Sequence, residues 1–195
     1  MLKIFSSKKN LAEFHSYFSY VFWLFGVFIA IMSIGTAMFI QFVVGDLPCP
    51  LCLLQRIAFF GFTYGALLHF KGSSRFRSIG ISLLFIVLLQ IMSLRQSLID
   101  IYPRPGHAWI GSAIFGIHLP IWSFIGALML VLAISLDFIF IARDNRKSIE
   151  HYPGLNRIAN IFAVIVLLLC AVNLVAVFFQ CGFHVCHTFG YELLK

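Results

Sequence analysis

The sequence predicts an all-α membrane protein, an antiparallel bundle of transmembrane helices, and three observations predict it. Of 195 residues, 61% are hydrophobic and only 11% are charged, whereas soluble domains run at about 45–50% apolar and about 25% charged. The mean hydropathy is +0.98, and a soluble domain of this length has no core large enough to hide that much apolar surface. The apolar residues also gather into long runs separated by short polar segments. Disorder is excluded, because it requires low hydrophobicity.

Five runs qualify as spans: Val21–Val44, Leu51–Phe70, Ile79–Leu98, Leu119–Ala142 and Ile158–Gln180. Each is near the ~20 residues that carry a helix across ~30 Å of hydrocarbon at ~1.5 Å per residue. The first is too long for the apolar part of a signal peptide, and no small-residue cleavage pattern follows it, so it is expected to stay in the mature protein. The whole chain, 1–195, reads as a single membrane domain. Short connections make successive helices antiparallel neighbours.

The formal charge of +7 would raise the question of nucleic acid in a soluble protein. Here the positions of the charges matter more, and no nucleic-acid partner is read from them. Lys3, Lys8 and Lys9 precede span one; Lys71, Arg75 and Arg77 separate spans two and three; Arg143, Arg146, Lys147 and Arg157 precede the apolar run of span five. These alternate segments hold ten of the fourteen basic residues, and basic residues concentrate on the cytoplasmic side. The N-terminus is therefore expected in the cytoplasm and the C-terminus outside. The outer segment Asp100–His118 mixes Trp109, Ile110, Ile114, Phe115 and Ile117 with glycines. It suits a segment lying flat in the membrane interface, and equally a plain loop.

Topology sorts the cysteines. Cys49 and Cys52 fall at the outer mouth of span two, Cys181 and Cys186 follow span five on the same side, and Cys170 lies inside span five. Disulfides persist on an oxidising outer face. Cys170 reads as a small packing residue in apolar surroundings, where a thiol stays protonated. Pro50 suits the first helical position, which makes Cys49 the cap and puts Cys52 in the first turn. A pair at i and i+3 there can meet the ~4.4–6.8 Å Cα separation of a disulfide. The positive end of the helix dipole favours the thiolate of Cys52.

Arg56 follows Cys52 by four residues, on the same helix face one turn deeper. An intramembrane cation costs about 2.5–3.5 kcal/mol at mid-helix and is a functional candidate by default; near a helix end, snorkelling to headgroups is the alternative. Arg95 sits at a similar depth on span three. Two cations beside a thiolate suit an anion or a polar oxygen of a lipophilic cofactor. Asp137, near the inner end of span four, suits local pairing or snorkelling.

At these residues the chain resembles a known family. Cys49-Pro50-Leu51-Cys52-Leu53-Leu54-Gln55-Arg56 is similar to the quinone-binding motif of the disulfide-bond-formation protein B (DsbB) family, and the resemblance covers the spans from Val21 to Ala142, with Ile101-Tyr102-Pro103. It implies a four-helix bundle in the bacterial inner membrane that oxidises a periplasmic thioredoxin-like dithiol oxidase (DsbA-like) and passes the electrons to the membrane quinone pool, ubiquinone or menaquinone. Cys49 and Cys52 would be the redox pair beside the quinone. Cys52 would make the charge-transfer contact or adduct with the ring, and Arg56 would stabilise it.

Three departures stand out. The family's second cysteine pair belongs between spans three and four, yet Ile99–His118 has no cysteine. A fifth span is added, with Cys181 and Cys186 after it. Where the family often has a pocket histidine before the Tyr-Pro element, this chain has Gln96. The tail pair admits three readings: a redox relay replacing the missing loop pair, a structural staple, or a zinc site with His184 and His187. No resident metal is read from the rest of the sequence. Rival functions are a transporter, which the scarcity of midplane charges and broken helices argues against, and a non-catalytic scaffold whose disulfides only staple loops.

Overall fold

The computed structural model describes residues 2–72, 74–102, 113–114, 116–140 and 149–182. Five long helices dominate: α1 (Leu2–Phe39), α2 (Pro50–Phe70), α3 (Arg75–Ile101), α4 (Leu119–Phe140) and α5 (Pro153–Cys181). All five are long and apolar enough to cross a membrane, through Ser16–Val44, Pro50–Phe70, Phe76–Ile99, Leu119–Ile139 and Pro153–Cys181. The protein is a multi-pass helical membrane protein. Large apolar side chains on the outer faces, among them Leu84, Met129, Leu167 and Leu174, are exposed on the protein surface, as a lipid-facing surface requires.

α1 starts far ahead of its apolar run. No glycine or proline interrupts the chain before Gly26, so the helix has no backbone reason to stop. At its other end it continues as one π-helical turn, Ile40–Val44, and closes on Gly45 in the left-handed region at φ 80°. In the segment read as a flat interfacial stretch or a loop, β1 (Ala113–Ile114) pairs antiparallel with β2 (Ile117–His118) around Gly116 at φ 75°. Residues 103–112 and 115 of that segment lie outside the described residues.

α2 and α3 make the most intimate pair. A Cβ on Gly61 would run into the Phe85 ring, and one on Gly65 would strike the Ser82 hydroxyl and stand 2.8 Å from the Ser82 backbone nitrogen. Gly61 and Gly65 form a G-x-x-x-G face, the device that lets membrane helices approach closely where no hydrophobic drive separates lipid from protein. α4 packs on α3, and α1 packs on α2.

Trp23 of α1 ties the ring of helices together. Its indole stacks on His69 of α2 with centroids 4.9 Å apart and donates to Asp137 Oδ2 of α4 at 3.4 Å. Asp137 is buried, so it pairs across helices and does not snorkel. The His69 ring in turn meets Ser78 of α3 at 3.2 Å.

α5 lies against α1 and α2. Its buried residues include Ala159, Val166, Asn173 and Gln180, a seven-residue spacing that keeps one seam facing its neighbours. Cys170 is off this seam. It is exposed and free, which corrects the expectation of a packing residue: the bundle does not enclose it, and its apolar surroundings are on the outer face.

Candidate redox site

The cysteine motif opens α2. Cys49 is the N-cap, extended at φ −71° and ψ 161°, with Pro50 in the first turn. Its sulfur accepts the Cys52 backbone N–H at 3.1 Å, and its carbonyl accepts the Leu53 N–H at 3.0 Å. A sulfur thus does what a serine or aspartate oxygen does at most helix starts. Cys49 is buried, Cys52 half-buried, and both are free thiols. The Cys49 thiol is pushed above the ordinary thiol range, first by its side-chain hydrogen bond with Cys52 and then by burial, against the smaller opposing pull of the backbone amides.

The first-turn amide of Cys52 serves the Cys49 sulfur. Cys52 finds its donor on α3, where Gln96 Nε2 donates to Cys52 Sγ at 3.5 Å. Gln96 is held from α2, since Gln55 Nε2 donates to Gln96 Oε1 at 3.2 Å. The two glutamines are buried, and together they brace the sulfur from one side.

Arg56 is only 5% exposed. It does not snorkel to headgroups. Nη1 donates to Gln41 Oε1 at 2.7 Å and to Asn173 Oδ1 at 3.1 Å, and Nη2 donates to the Ala37 carbonyl at 3.0 Å. Three elements therefore supply oxygens to one guanidinium: α1, the π turn and α5. A π turn spreads each turn over one more residue than an α turn, which shifts the direction of the side chains that follow, and Gln41 comes out 2% exposed.

Arg95 is not gathered with them. It is exposed and lines a groove of about 440 Å³ with Ile91, Leu94, Leu98, Ile99 and Tyr102. One residue further on, roughly 100° around the helix, Gln96 takes the inward place against Cys52. The pair of cations expected beside the thiolate reduces to Arg56, whose charge interacts with Cys52.

At the end of α5, Cys181 is buried and disulfide-bonded; Cys186 lies outside the described residues. A cysteine in a disulfide has no thiolate to offer zinc, so the zinc reading loses its first ligand; His184 and His187 also lie outside the described residues. Gln180, the preceding residue, donates to the Pro48 carbonyl at 3.0 Å. The ends of α5 and of the cysteine motif are thereby in contact.

Gln41, Gln55, Asn173 and Gln180 were not singled out from sequence. The available signal was their polarity inside or at the end of apolar runs, since such side chains in spans face a partner.

Buried and half-buried thiols at the mouth of a helical bundle, braced by amides and an enclosed guanidinium, define the class: a multi-pass membrane protein with a dithiol centre at one end. Residues 19–108 match the family described as disulfide bond formation protein DsbB. That match covers a little under half of the chain. A disulfide bond formation protein B from Ralstonia nicotianae is 26% identical over 157 aligned residues, which cover 66% of this chain and 98% of that protein. No solved structure matches the chain.

Proposed function

We propose that the chain is a quinone-dependent thiol oxidase of the bacterial inner membrane that reoxidises a periplasmic thioredoxin-like dithiol protein. One observation carries the reading: a half-buried free thiol, Cys52, stands beside a buried capping thiol, Cys49, with Gln96 as its donor and Arg56 one turn deeper. The motif lies at the end of the bundle opposite the basic segments, which the positive-inside rule assigns to the cytoplasm.

The residues fit a quinone by their donor set. Quinone carbonyls need hydrogen-bond donors and the ring needs apolar walls. Gln55, Gln96 and Arg56 supply amide and guanidinium N–H groups, and Leu54 and Ile57 on the same helix are exposed apolar side chains. A bound quinone would supply the terminal two-electron acceptor. The Cys49/Cys52 disulfide would take two electrons from a dithiol, each sulfur gaining one hydrogen equivalent. Cys52, the more accessible sulfur, would hand them on while Gln96 and Arg56 hold it in place.

The tail pair would stand upstream. A partner thiolate would attack the Cys181/Cys186 disulfide and form a mixed disulfide with one cysteine, the other leaving as the thiol. The partner's second thiolate then attacks that mixed disulfide, so the partner departs as a disulfide and leaves the Cys181/Cys186 dithiol, which reduces Cys49/Cys52 by exchange. The Gln180–Pro48 bond supports this order by bringing the two motifs side by side.

The test is quinone reduction by the purified chain with a reduced thioredoxin-like protein as donor. Turnover that disappears in Cys52→Ser is expected. No turnover in the wild-type chain with any quinone would leave the scaffold reading in its place.

A further inference from the structure

The fifth helix is an addition to the bundle that the DsbB resemblance implies, and the family match ends at residue 108. Yet α5 touches the redox motif twice, on both sides of the cysteines. Asn173 accepts from Arg56, four residues after Cys52. Gln180 donates to Pro48, immediately before Cys49. Both belong to the buried seam of α5, and both sit where the rest of that seam holds alanine or valine. Two polar side chains in an otherwise apolar seam are costly to bury without partners. Their partners are the two flanks of the cysteine motif.

We propose that α5 is a working part of the redox site, and that Asn173 is a positioning residue that fixes the Arg56 guanidinium where its charge acts on Cys52.

The geometry explains why a neutral oxygen serves. Gln41, Ala37 and Asn173 orient the guanidinium through three acceptors on three elements without adding a negative charge of their own. The cation is held, and its field stays available to the sulfur one helical turn away. A carboxylate at 173 would hold Arg56 as firmly and cancel that field. In the reduced pair, negative charge on the Cys52 sulfur is favoured by a correctly placed cation. Displacing or neutralising the cation therefore moves the equilibrium toward the disulfide.

This inference rests on the redox reading of Cys49 and Cys52, but on neither the quinone nor the protein partner, so its test uses neither. Purified full-length chain is equilibrated with glutathione at a series of thiol-to-disulfide ratios. In the exchange, Cys49–S–S–Cys52 and two glutathione thiols become the Cys49/Cys52 dithiol and one glutathione disulfide. The reduced fraction is read by alkylation and peptide mass.

Asn173→Leu should shift the equilibrium constant about tenfold toward the protein disulfide, roughly 30 mV for a two-electron couple. Arg56→Met should shift it the same way, and the double variant should go no further than Arg56→Met alone, since the effect of position 173 passes through Arg56. Asn173→Asp, which keeps the shape and so the fold, should shift it at least as far as Asn173→Leu. If Asn173→Leu does not fold, Asn173→Asp decides. A wild-type equilibrium constant in Asn173→Asp, or additive shifts in the double variant, overturns the proposal. If the couple responds as described while the chain fails to reduce quinone, the positioning role stands and the oxidase reading falls. If turnover is intact and the couple does not move, the reverse holds.

Discussion

Gln180 and Pro48 are 132 residues apart in sequence and joined by a 3.0 Å hydrogen bond from the Gln180 amide to the Pro48 carbonyl. Pro48 has no N–H to offer and precedes another proline by two residues, so the loop into α2 is stiff and is held here by its carbonyl. Gln180 is 1% exposed. Replacing it with leucine strands a buried carbonyl, which costs about 1–3 kcal/mol. Denaturation of the Gln180→Leu chain in mixed micelles should show a lowered midpoint. Alkylation of Cys49 should quicken as its loop loosens.

Arg56→Met should lose stability as well as activity. The guanidinium satisfies three oxygens, and methionine satisfies none. Each buried acceptor left behind costs about 1–3 kcal/mol. Quinone turnover should fall by roughly 100-fold or more, the order seen when one well-placed electrostatic group is removed. Steady-state kinetics beside a denaturation curve checks both, and a stable, fully active Arg56→Met chain would remove Arg56 from the site.

The thiols should separate by reactivity. Cys49 is held above the ordinary thiol range chiefly by Cys52, so in the reduced wild type it stays protonated at neutral pH and reacts slowly. Removing its partner in Cys52→Ala takes away the largest upward influence and leaves burial. The pH at which Cys49 becomes half-reactive should then fall, and its alkylation at a fixed pH near 8 should quicken. An unchanged profile would show that burial alone sets the Cys49 thiol.

Cys170 is exposed on the protein but sits among apolar residues in mid-span. A lipid-soluble maleimide should modify it slowly, and a charged, impermeant one should not modify it from either side. Fast labelling by the impermeant reagent would mean that water reaches the outer face of α5.

Gly65→Ala should damage the bundle more than Gly61→Ala. At Gly65 the new methyl meets the Ser82 backbone as well as its side chain, whereas at Gly61 it meets only the Phe85 ring. A ring can turn; a backbone has to move. α3 carries Gln96 to Cys52, so separating α2 from α3 should also slow quinone reduction. Comparing melting and turnover for the two variants tests the order.

The helices were legible because hydrocarbon demands long apolar runs, and that demand is written residue by residue. The cap at Cys49 was legible from Pro50, a local rule. Arg56 stood out as a cation in an apolar run, but its surroundings did not: Gln41 depends on a π turn, and Asn173 lies 117 residues away, a distance that no local pattern spans. Cys170 was misread because an apolar run looks alike on its lipid face and its packed face. Arg95 and Gln96 are consecutive, and depth alone does not say which of two neighbours turns inward. The partner of Cys52 was therefore settled by rotation about the axis of α3, which packing against α2 sets.

α5 meets its neighbours along one narrow seam marked every seven residues by Ala159, Val166, Asn173 and Gln180. Most of its remaining circumference answers to lipid, which accepts almost any apolar side chain. A helix with so few fixed letters can drift freely in sequence and still dock in the same register. Two amides spaced one heptad apart are enough to align it, so a bundle could acquire such a helix without redesigning the four it already had.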